Sequence, residues 1–295
     1  MISIIITSYR EPKTIGKAVE SFLKQKIKEE YEIIVASPDE ETQKIIKEYS
    51  EKLRQVRFFK DSGKGKTCAL NLLLPKIKGE IIILSDGDVY VSESSVSEIL
   101  NAFKDKKVGC VTGKPVSLNP RKNIFGYWSH LLCYAAHRLR LKRERKEKFL
   151  ECSGYLWAFR NNVIKTIPRG TAEDAIVPCL FFLRGFKIKY VEGAEVYVRY
   201  PTNLSEFIAQ KKRTAKAHET LKKYINLKNI PRMKSLKNEI MGSYELFLFP
   251  QNFKEIIWTF LLFPIRLYIW FLSFFYLYFK KDIKVDGWKP LKSTK

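Results

Sequence analysis

The chain has 295 residues, of which 45% are hydrophobic and 14% aromatic, so it can bury a sizeable core and is not a disordered chain. Lys and Arg number 54 against 31 Asp and Glu, and the resulting net charge of +23 favours anionic partners such as phosphorylated small molecules, anionic lipid or nucleic acid. The five cysteines are far apart in the sequence, which argues against a disulfide framework and a zinc site.

The first hundred residues predict strands that alternate with helices. No basic region precedes the first apolar run, so we expect a buried first strand and not a secretory signal. Short apolar strands separated by helices favour a mainly parallel α/β sheet covered by helices, and such sheets bind ligands at the carboxyl ends of their strands. The predicted strands are Ile2–Thr7, Glu32–Ala36, Val56–Lys60 and Glu80–Ser85, and the predicted helices are Lys13–Lys26, Glu40–Leu53 and Thr67–Leu74.

The pattern continues, less regularly, to residue 223. Predicted helices cover Ser94–Lys104, Phe125–Arg145, Asp174–Arg184 and Leu204–Lys223. Predicted strands cover Val108–Ser117, Lys187–Glu192 and Val196–Arg199, and Cys152–Arg160 is predicted as a strand pair region. The helix Phe125–Arg145 has aromatic residues early and basic residues late, so it either lies on an anionic bilayer with its rings inward or packs as an ordinary amphipathic helix.

The C-terminal part differs in composition. Ile256–Phe279 is a run of 24 residues with eleven aromatic side chains and Arg266 as its single charge. At about 1.5 Å per residue it is long enough to cross a hydrocarbon core of about 30 Å, and the alternative is a buried core helix. We therefore predict two domains, a catalytic domain at 1–225 and a hydrophobic, basic membrane-attachment region at 226–295. One span and a re-entrant or interfacial attachment both remain open.

Asp86-Gly87-Asp88 follows the apolar strand that ends at Ser85. Two carboxylates one residue apart at a strand end suit Mg²⁺ or Mn²⁺, which prefer oxygen ligands and bridge to diphosphates. The alternative is a solvated turn, because Asp-Gly is common in turns.

The segment Gly63–Thr67 is similar to the end of a phosphate-binding P-loop. A complete P-loop needs Gly five positions before Gly65, where Lys60 stands. Lys66 is still placed to meet phosphates as a point charge. A P-loop NTPase is therefore an alternative function.

Two further groups carry chemistry. Glu173 and Asp174 precede an apolar helix, where one can act as a general base or both can favour the helix dipole. Gln210 and Arg213 lie on the basic helix, where Arg213 either binds a diphosphate or belongs to a solvated face. We interpret a third group as packing residues of one helix face: His130, Cys133 and His137.

Taken in order, these segments resemble family 2 glycosyltransferases of GT-A fold over residues 2–215. The first strand and its loop match at Tyr9 and Glu11, with Thr7 and Arg10 where the family has Pro and Asn. The segment after the second strand keeps only Asp39 of the usual carboxylates. The other matching segments are Gly65-Lys66 with Ala69-Leu70-Asn71, Asp86-Gly87-Asp88, Ser153-Gly154 through Phe159-Arg160, Thr171–Asp174, and Gln210-Lys211-Lys212-Arg213, after which Thr214 replaces the Trp of processive synthases.

The resemblance implies a membrane-associated enzyme that moves a sugar from a nucleotide-sugar donor to a lipid-linked or membrane-presented glycan acceptor. Nucleic acid is not expected as a partner. The implied metal ligands of Mg²⁺ or Mn²⁺ are Asp86 and Asp88, the implied base is Asp174 with Glu173 beside it, and Gly154 lies on the acceptor side. The implied donor-binding residues are Thr7, Tyr9, Glu11, Asp39, Lys66, Asp86, Gln210 and Arg213. One base without a second carboxylate as nucleophile favours inversion. We expect the catalytic domain on the cytoplasmic side, and a basic nucleic-acid-binding protein is the remaining alternative.

Overall fold

The computed structural model describes residues 1–226, 230–231, 233, 236–279 and 292–294. Within them, eight strands form a single sheet in the order β3-β2-β1-β4-β7-β6-β8-β5. The strands are β1 (Ile2–Thr7), β2 (Tyr31–Ser37), β3 (Val56–Lys60), β4 (Ile81–Asp86), β5 (Tyr90–Val91), β6 (Val108–Ser117), β7 (Leu156–Arg160) and β8 (Lys187–Val198).

The sheet is mixed, with more parallel than antiparallel pairs. β3, β2, β1 and β4 are parallel to one another, and β6 is parallel to β8. β7 is antiparallel to β4 and to β6, and β5 is antiparallel to β8. The parallel half brings the carboxyl ends of β1, β2, β3 and β4 to one edge, as the sequence predicts.

Helices cover the sheet, and further helices follow its last strand in the chain. β1 is buried between β2 and β4, which explains its continuous run of isoleucines. α1 turns Ile15, Ala18, Val19 and Phe22 to the core at helical spacing. The helices are α1 (Pro12–Leu23), α2 (Glu40–Lys52), α3 (Lys66–Leu73), α4 (Ser95–Ala102), α5 (Ile124–Glu144), α6 (Glu173–Phe182), α7 (Leu204–Thr220), α8 (Leu236–Gly242) and α9 (Phe253–Phe279). Short 3₁₀ helices occupy Leu74–Lys76, Leu221–Lys223, Ser243–Leu248 and Lys292–Thr294.

Two predicted strand assignments are wrong. Lys187–Glu192 and Val196–Arg199 are one strand, β8, because irregular pairing with β6 between Thr112 and Lys114 absorbs the polar break near Gly193. The predicted strand region Cys152–Arg160 forms a strand only from Leu156 onward.

The C-terminal helix α9 packs on α5 and α7. A shared apolar cluster joins the three helices and contains Tyr127, Trp128, Leu131, Phe207, Leu262 and Ile269. The early rings of α5 therefore pack against protein, which favours the amphipathic packing helix over the bilayer alternative for Tyr127 and Trp128. The division into domains at 225/226 stays a prediction, and the basic tail predicted after Phe279 lies largely outside the described residues.

Candidate functional site

The site is built first from the adjoining ends of β1 and β4. Parallel pairing places Thr7 opposite Asp86 at the last position of both strands. The Thr7 hydroxyl donates a hydrogen bond of 3.1 Å to Asp86 Oδ1. This bond fixes one oxygen of Asp86 at the carboxyl edge of the sheet.

The loop after β1 folds back over Gly87. Glu11 is buried, and its Oε2 accepts hydrogen bonds from the Ser8 hydroxyl at 3.1 Å and from the Tyr9 amide at 3.4 Å. A Cβ at Gly87 would lie 2.8 Å from Glu11 Oε2 and equally close to Ser8. The middle residue of Asp86-Gly87-Asp88 must therefore be glycine so that the two loops can approach each other.

Lys66 links two of the predicted acidic groups. It opens α3 after Gly65, whose φ of 101° suits glycine. Its ammonium lies 2.7 Å from Asp86 Oδ1 and 2.9 Å from Glu173 Oε1. Burial alone disfavours the Lys66 ammonium, but the two carboxylates outweigh it and raise the pKa of Lys66 above its usual value.

Helix α3 also fastens the loop that precedes Glu173 and Asp174. The Asn71 amide group donates to the Ile167 carbonyl at 2.8 Å and accepts from the Ile167 amide at 2.8 Å. The Thr67 hydroxyl donates to the Thr171 carbonyl at 3.3 Å. The matched Gly-Lys and Ala-Leu-Asn segment thus positions the predicted base loop, a contact between distant parts of the sequence.

Asp174 lies beside Gly154. A Cβ added at Gly154 would lie 3.1 Å from Asp174 Oδ2, closer than most real Cβ contacts. Both residues are close to the buried Cys152, whose pKa is raised by burial and then by the charge of Asp174. The predicted base and the predicted acceptor-side glycine therefore share one location.

Tyr155 lies within electrostatic range of Asp86 and Asp88 and of Arg213 on α7. Burial raises the pKa of the Tyr155 hydroxyl, and the negative charge of Asp88 is the next cause. Asp86 adds to this effect, whereas Arg213 acts in the opposite direction. Asp86, Asp88 and Arg213 are thus all near enough to Tyr155 to act on it electrostatically.

Gln210, one turn before Arg213 on α7, is more than nine-tenths buried. Its side-chain oxygen Oε1 accepts no hydrogen bond from any residue that the structure describes. A buried amide oxygen without a hydrogen-bond donor lowers stability. A ligand hydroxyl that donates to Gln210 Oε1 would remove this cost.

A pocket opens at the edge of the parallel strands. It brings together Thr7, Tyr9, Glu11, Lys66 and Asp86, all predicted from the sequence as donor-binding residues. Its other lining residues are Ser8, Pro38, Asp61, Gly63, Gly65 and Ala69. Gln210 and Arg213 lie on α7 and do not line this pocket.

Asp39 stands beside the pocket with both carboxylate oxygens engaged. Oδ1 accepts the Thr42 amide at 2.9 Å and caps α2, and Oδ2 accepts the Ser37 hydroxyl at 2.6 Å and the Arg10 amide at 2.9 Å. Burial would raise the pKa of Asp39, but these hydrogen bonds outweigh it and lower that pKa. In this structure Asp39 holds the loops after β1 and β2 together.

Three contributing residues were not among the predicted site residues. Asp61 lines the pocket directly after β3, and burial raises the pKa of its carboxyl group. Its position after a strand marks it as one of the polar residues expected at this edge of the sheet, although no role in binding was predicted for it. Tyr155 and Asn71 act through contacts with distant segments, for which one sequence carries no signal.

The predicted metal ligands suit a hard divalent cation. No hydrogen bond from a described residue reaches Asp86 Oδ2, and Asp88 is two residues further along the same turn. Within the described part of the chain, no three His, Cys, Asp or Glu side chains gather as a complete metal site. An ion here would therefore share Asp86 and Asp88 with ligand oxygens, as Mg²⁺ commonly does with substrate phosphates.

A family model described as "Glycosyltransferase like family 2" matches residues 1–217. The chain is 23% identical over 262 residues to "Probable glycosyltransferase YdaM" of Bacillus subtilis, covering 84% of this chain and 61% of that protein. It is 28% identical over 132 residues to "Beta-monoglucosyldiacylglycerol synthase" of Nostoc, covering 42% of this chain and 28% of that protein. The chain thus spans about three fifths or less of the curated relatives that it matches.

Among solved structures, the fold is similar to that of the mannosyltransferase PcManGT from Pyrobaculum calidifontis, solved in complex with GDP-Man and Mn²⁺. The TM-score is 0.61 at 15% identity, and the match covers 95% of this chain and 81% of that one. This likeness confirms the predicted α/β, GT-A-like fold class.

Proposed function

This chain belongs to the glycosyltransferase-like family 2, and from that premise we propose that it transfers a sugar from a nucleotide-sugar donor to a membrane-presented acceptor, lipid-linked or glycan. The observation that carries the proposal is the double ion pair of Lys66 with Asp86 and Glu173. It joins the edge of the parallel strands to the loop of Asp174, so the proposed donor-binding and base residues form one site.

The donor occupies the pocket after β1 and β4 in this proposal. Thr7, Tyr9 and Glu11 shape the loop that covers it, and Asp39 supports that loop from behind. Lys66 and Arg213 supply positive charge to the diphosphate, and Gln210 Oε1 accepts a donor hydroxyl.

Asp86 and Asp88 would hold a divalent cation, Mg²⁺ or Mn²⁺. The chemistry that such an ion supplies is neutralisation of the negative charge of a departing nucleoside diphosphate. The structural neighbour solved with GDP-Man and Mn²⁺ supports this choice of donor and ion class.

Asp174 is the general base. Its carboxylate accepts the proton of the attacking acceptor hydroxyl at Gly154, where the absence of a side chain leaves space beside Oδ2. Glu173 is held by Lys66 and serves to position the loop. With one base and no second carboxylate as nucleophile, a single displacement with inversion follows.

The C-terminal region, residues 226–295 in the proposed division, attaches the catalytic domain 1–225 to a membrane, with the catalytic domain on the cytoplasmic side. Within the described residues, one helix over Phe253–Phe275 is long and apolar enough to cross a membrane by length and composition. The name of the Nostoc relative, a glucosyldiacylglycerol synthase, supports a lipid acceptor.

The test is release of nucleoside diphosphate from a panel of UDP- and GDP-sugars by the full chain with bacterial lipid extract and Mn²⁺ or Mg²⁺. We expect one donor to be consumed and its sugar to appear in the organic phase or on a glycan. The Asp174→Asn variant should release about 10²–10⁴-fold less. Equal release by the variant, or no release with any donor, would refute the proposal.

A further inference from the structure

From Glu255 onward, helix α9 directs four polar side chains inward. Glu255, Thr259 and Ser273 are buried, and together with Arg266 they recur at intervals of four, seven and seven residues, so they share one face. That face packs on α5 and α7. A surface helix of a water-soluble protein normally has the opposite arrangement, with its polar face outward.

The first half of α9 is bound to the segment before α5 and to α5 itself. Arg121 donates two hydrogen bonds to the Glu255 carboxylate, at 2.7 and 2.8 Å. The Tyr127 hydroxyl lies 2.6 Å from Thr259 Oγ1, and the Trp128 indole donates to the Trp258 carbonyl at 2.6 Å.

The second half of α9 is bound to α8. Arg266 donates two hydrogen bonds to the Glu239 carboxylate, at 2.5 and 2.8 Å, and the Trp270 indole donates to Glu239 Oε2 at 2.8 Å. Glu255 and Trp270 are about 22 Å apart along the helix axis at 1.5 Å per residue. The helix is therefore fastened lengthwise to the rest of the chain.

The opposite face of α9 is apolar and exposed. Phe253, Phe260, Leu267 and Phe271 are 76%, 59%, 55% and 64% exposed. Their spacing of seven, seven and four residues keeps them on one side of the helix. We call these four residues the outer face. Leu248, 67% exposed in the preceding 3₁₀ turn, extends the apolar surface.

We propose that the outer face of α9 docks flat on the surface of an anionic lipid bilayer, so that the helix lies in the interface and does not cross it. Crossing would pull Glu255 and Arg266 away from partners on other segments, or carry those partners into hydrocarbon, and either is costly. Docking through the outer face keeps every one of these bonds.

Charge argues for lipid over a second copy of the chain as the occupant. Each chain carries a net charge of +23, so two copies repel each other, whereas an anionic bilayer attracts the chain. Lys254 stands beside Phe253 at the start of α9. Arg138 and Lys142, each about half exposed, lie beside the turn that contains Leu248 and share one carboxylate, that of Glu245, so the three residues together leave one net positive charge. Aromatic side chains with neighbouring cations are typical of helices that lie in a membrane interface.

The role that we assign to docking, which is to bring the site to a lipid-borne acceptor, rests on the proposed function. α9 packs on α7, the helix that carries Gln210 and Arg213, so docking would hold the proposed donor site one helix away from the lipid. A lipid-borne acceptor could then reach Asp174 without leaving the membrane surface.

The first experiment is co-flotation of the full chain with vesicles of phosphatidylcholine alone and of phosphatidylcholine mixed equally with phosphatidylglycerol. We expect binding to the mixed vesicles that is about tenfold stronger than to the neutral ones. The triple variant Phe260→Ser, Leu267→Ser, Phe271→Ser should bind at least about 10²-fold more weakly because it removes three apolar groups that would enter the bilayer. The matched control changes three exposed leucines elsewhere, Leu72→Ser, Leu118→Ser and Leu183→Ser, and should bind as the original chain does.

The second experiment measures depth. A nitroxide is placed in turn at positions 253, 260, 267 and 271, after Cys68 and Cys133, the two cysteines that are not fully buried, are changed to Ser. A helix in the interface gives one shallow depth at all four positions. A spanning helix gives depths that change along about 27 Å of axis.

Several results would overturn the docking proposal. The first is vesicle binding that the outer-face triple variant leaves unchanged. The second is a set of nitroxide depths that vary along α9 as in a spanning helix. The third is a dimer that forms without vesicles and that the triple variant abolishes. Donor consumption is measured separately on the same samples. A chain that docks but consumes no donor would refute the proposed function and leave the docking proposal standing. A chain that consumes donor without docking would refute the docking proposal and leave the sugar transfer standing.

Discussion

Lys66 and Asp86 form an ion pair of 2.7 Å between the first residue of α3 and the last residue of β4, and both side chains are about seven-eighths shielded from water. Glu173 shares the same ammonium at 2.9 Å. One cation thus neutralises two carboxylates from different segments, so its loss leaves both of them buried without compensation.

Lys66→Met should lower the free energy of unfolding by about 3–5 kcal/mol, the usual cost of removing one partner of a buried ion pair. Urea unfolding followed by circular dichroism measures it. In a chain that already carries Asp86→Asn, the same change should cost less because one stranded charge is gone. Equal costs in both backgrounds would show that the pair is not coupled.

Asp39→Ala should lower stability by about 1–2 kcal/mol, because α2 loses its N-cap and the loop after β1 loses its anchor. The control Asp39→Asn keeps a capping oxygen and should lose less. Urea unfolding at neutral pH distinguishes the two variants, and equal loss in both would contradict a capping role.

The lowered pKa of Asp39 predicts that the free energy of unfolding depends on pH. Its pKa is lower in the folded chain than the unfolded value of about 3.9, so its stabilising contribution is complete above that value and is lost as pH falls through the folded pKa. Asp39→Asn should therefore show a shallower loss of stability on acidification. Identical acid profiles for the variant and the original chain would be the contrary result.

Asp174→Asn should reduce turnover by about 10²–10⁴-fold with donor affinity nearly unchanged, since the amide keeps the shape of the side chain and loses its basicity. Asp105→Asn, at an exposed turn, is the matched control and should not change turnover. Turnover close to normal in the Asp174 variant would assign the base elsewhere.

Gly154→Ala tests the space beside the proposed base. The added methyl group would meet Asp174 Oδ2 at 3.1 Å, so the carboxylate must shift. The shift needed is a few tenths of an ångström. A displacement of about 1 Å can cost about 10²-fold in rate, so we expect a loss smaller than about 10²-fold with donor affinity retained. Gly242→Ala, where a Cβ meets open space, is the control, and equal rates in the two variants would contradict the assignment.

Sequence patterns predicted the parallel half of the sheet well. The run Ile2–Thr7 and the strand before Asp86 are apolar because both faces are buried, and that constraint is local and readable. The acidic and basic groups at strand ends could be identified for the same reason, since the position of a strand end fixes which edge its following residue reaches.

Other features depend on contacts between distant residues and could not be read. Nothing local shows that Lys66 reaches Glu173 or that Asn71 holds the loop at Ile167. β8 was divided because its irregular pairing with β6 breaks the alternation of apolar residues. The polar side chains of α9 mark one face by their spacing, but amphipathic patterning alone would place that face in water, whereas it packs inward.

The central claim is that a sugar nucleotide binds at Asp86 and Asp88 with a divalent cation. Calorimetric titration of UDP- and GDP-sugars into the full chain, with Mn²⁺ and then with a chelator, tests it most directly. We expect one donor to bind only with metal, Asp88→Asn to weaken that binding by about 10²-fold or more, and Asp174→Asn to leave it nearly unchanged. Equal donor affinity with metal and with chelator, or undiminished affinity in the Asp88 variant, would contradict the account.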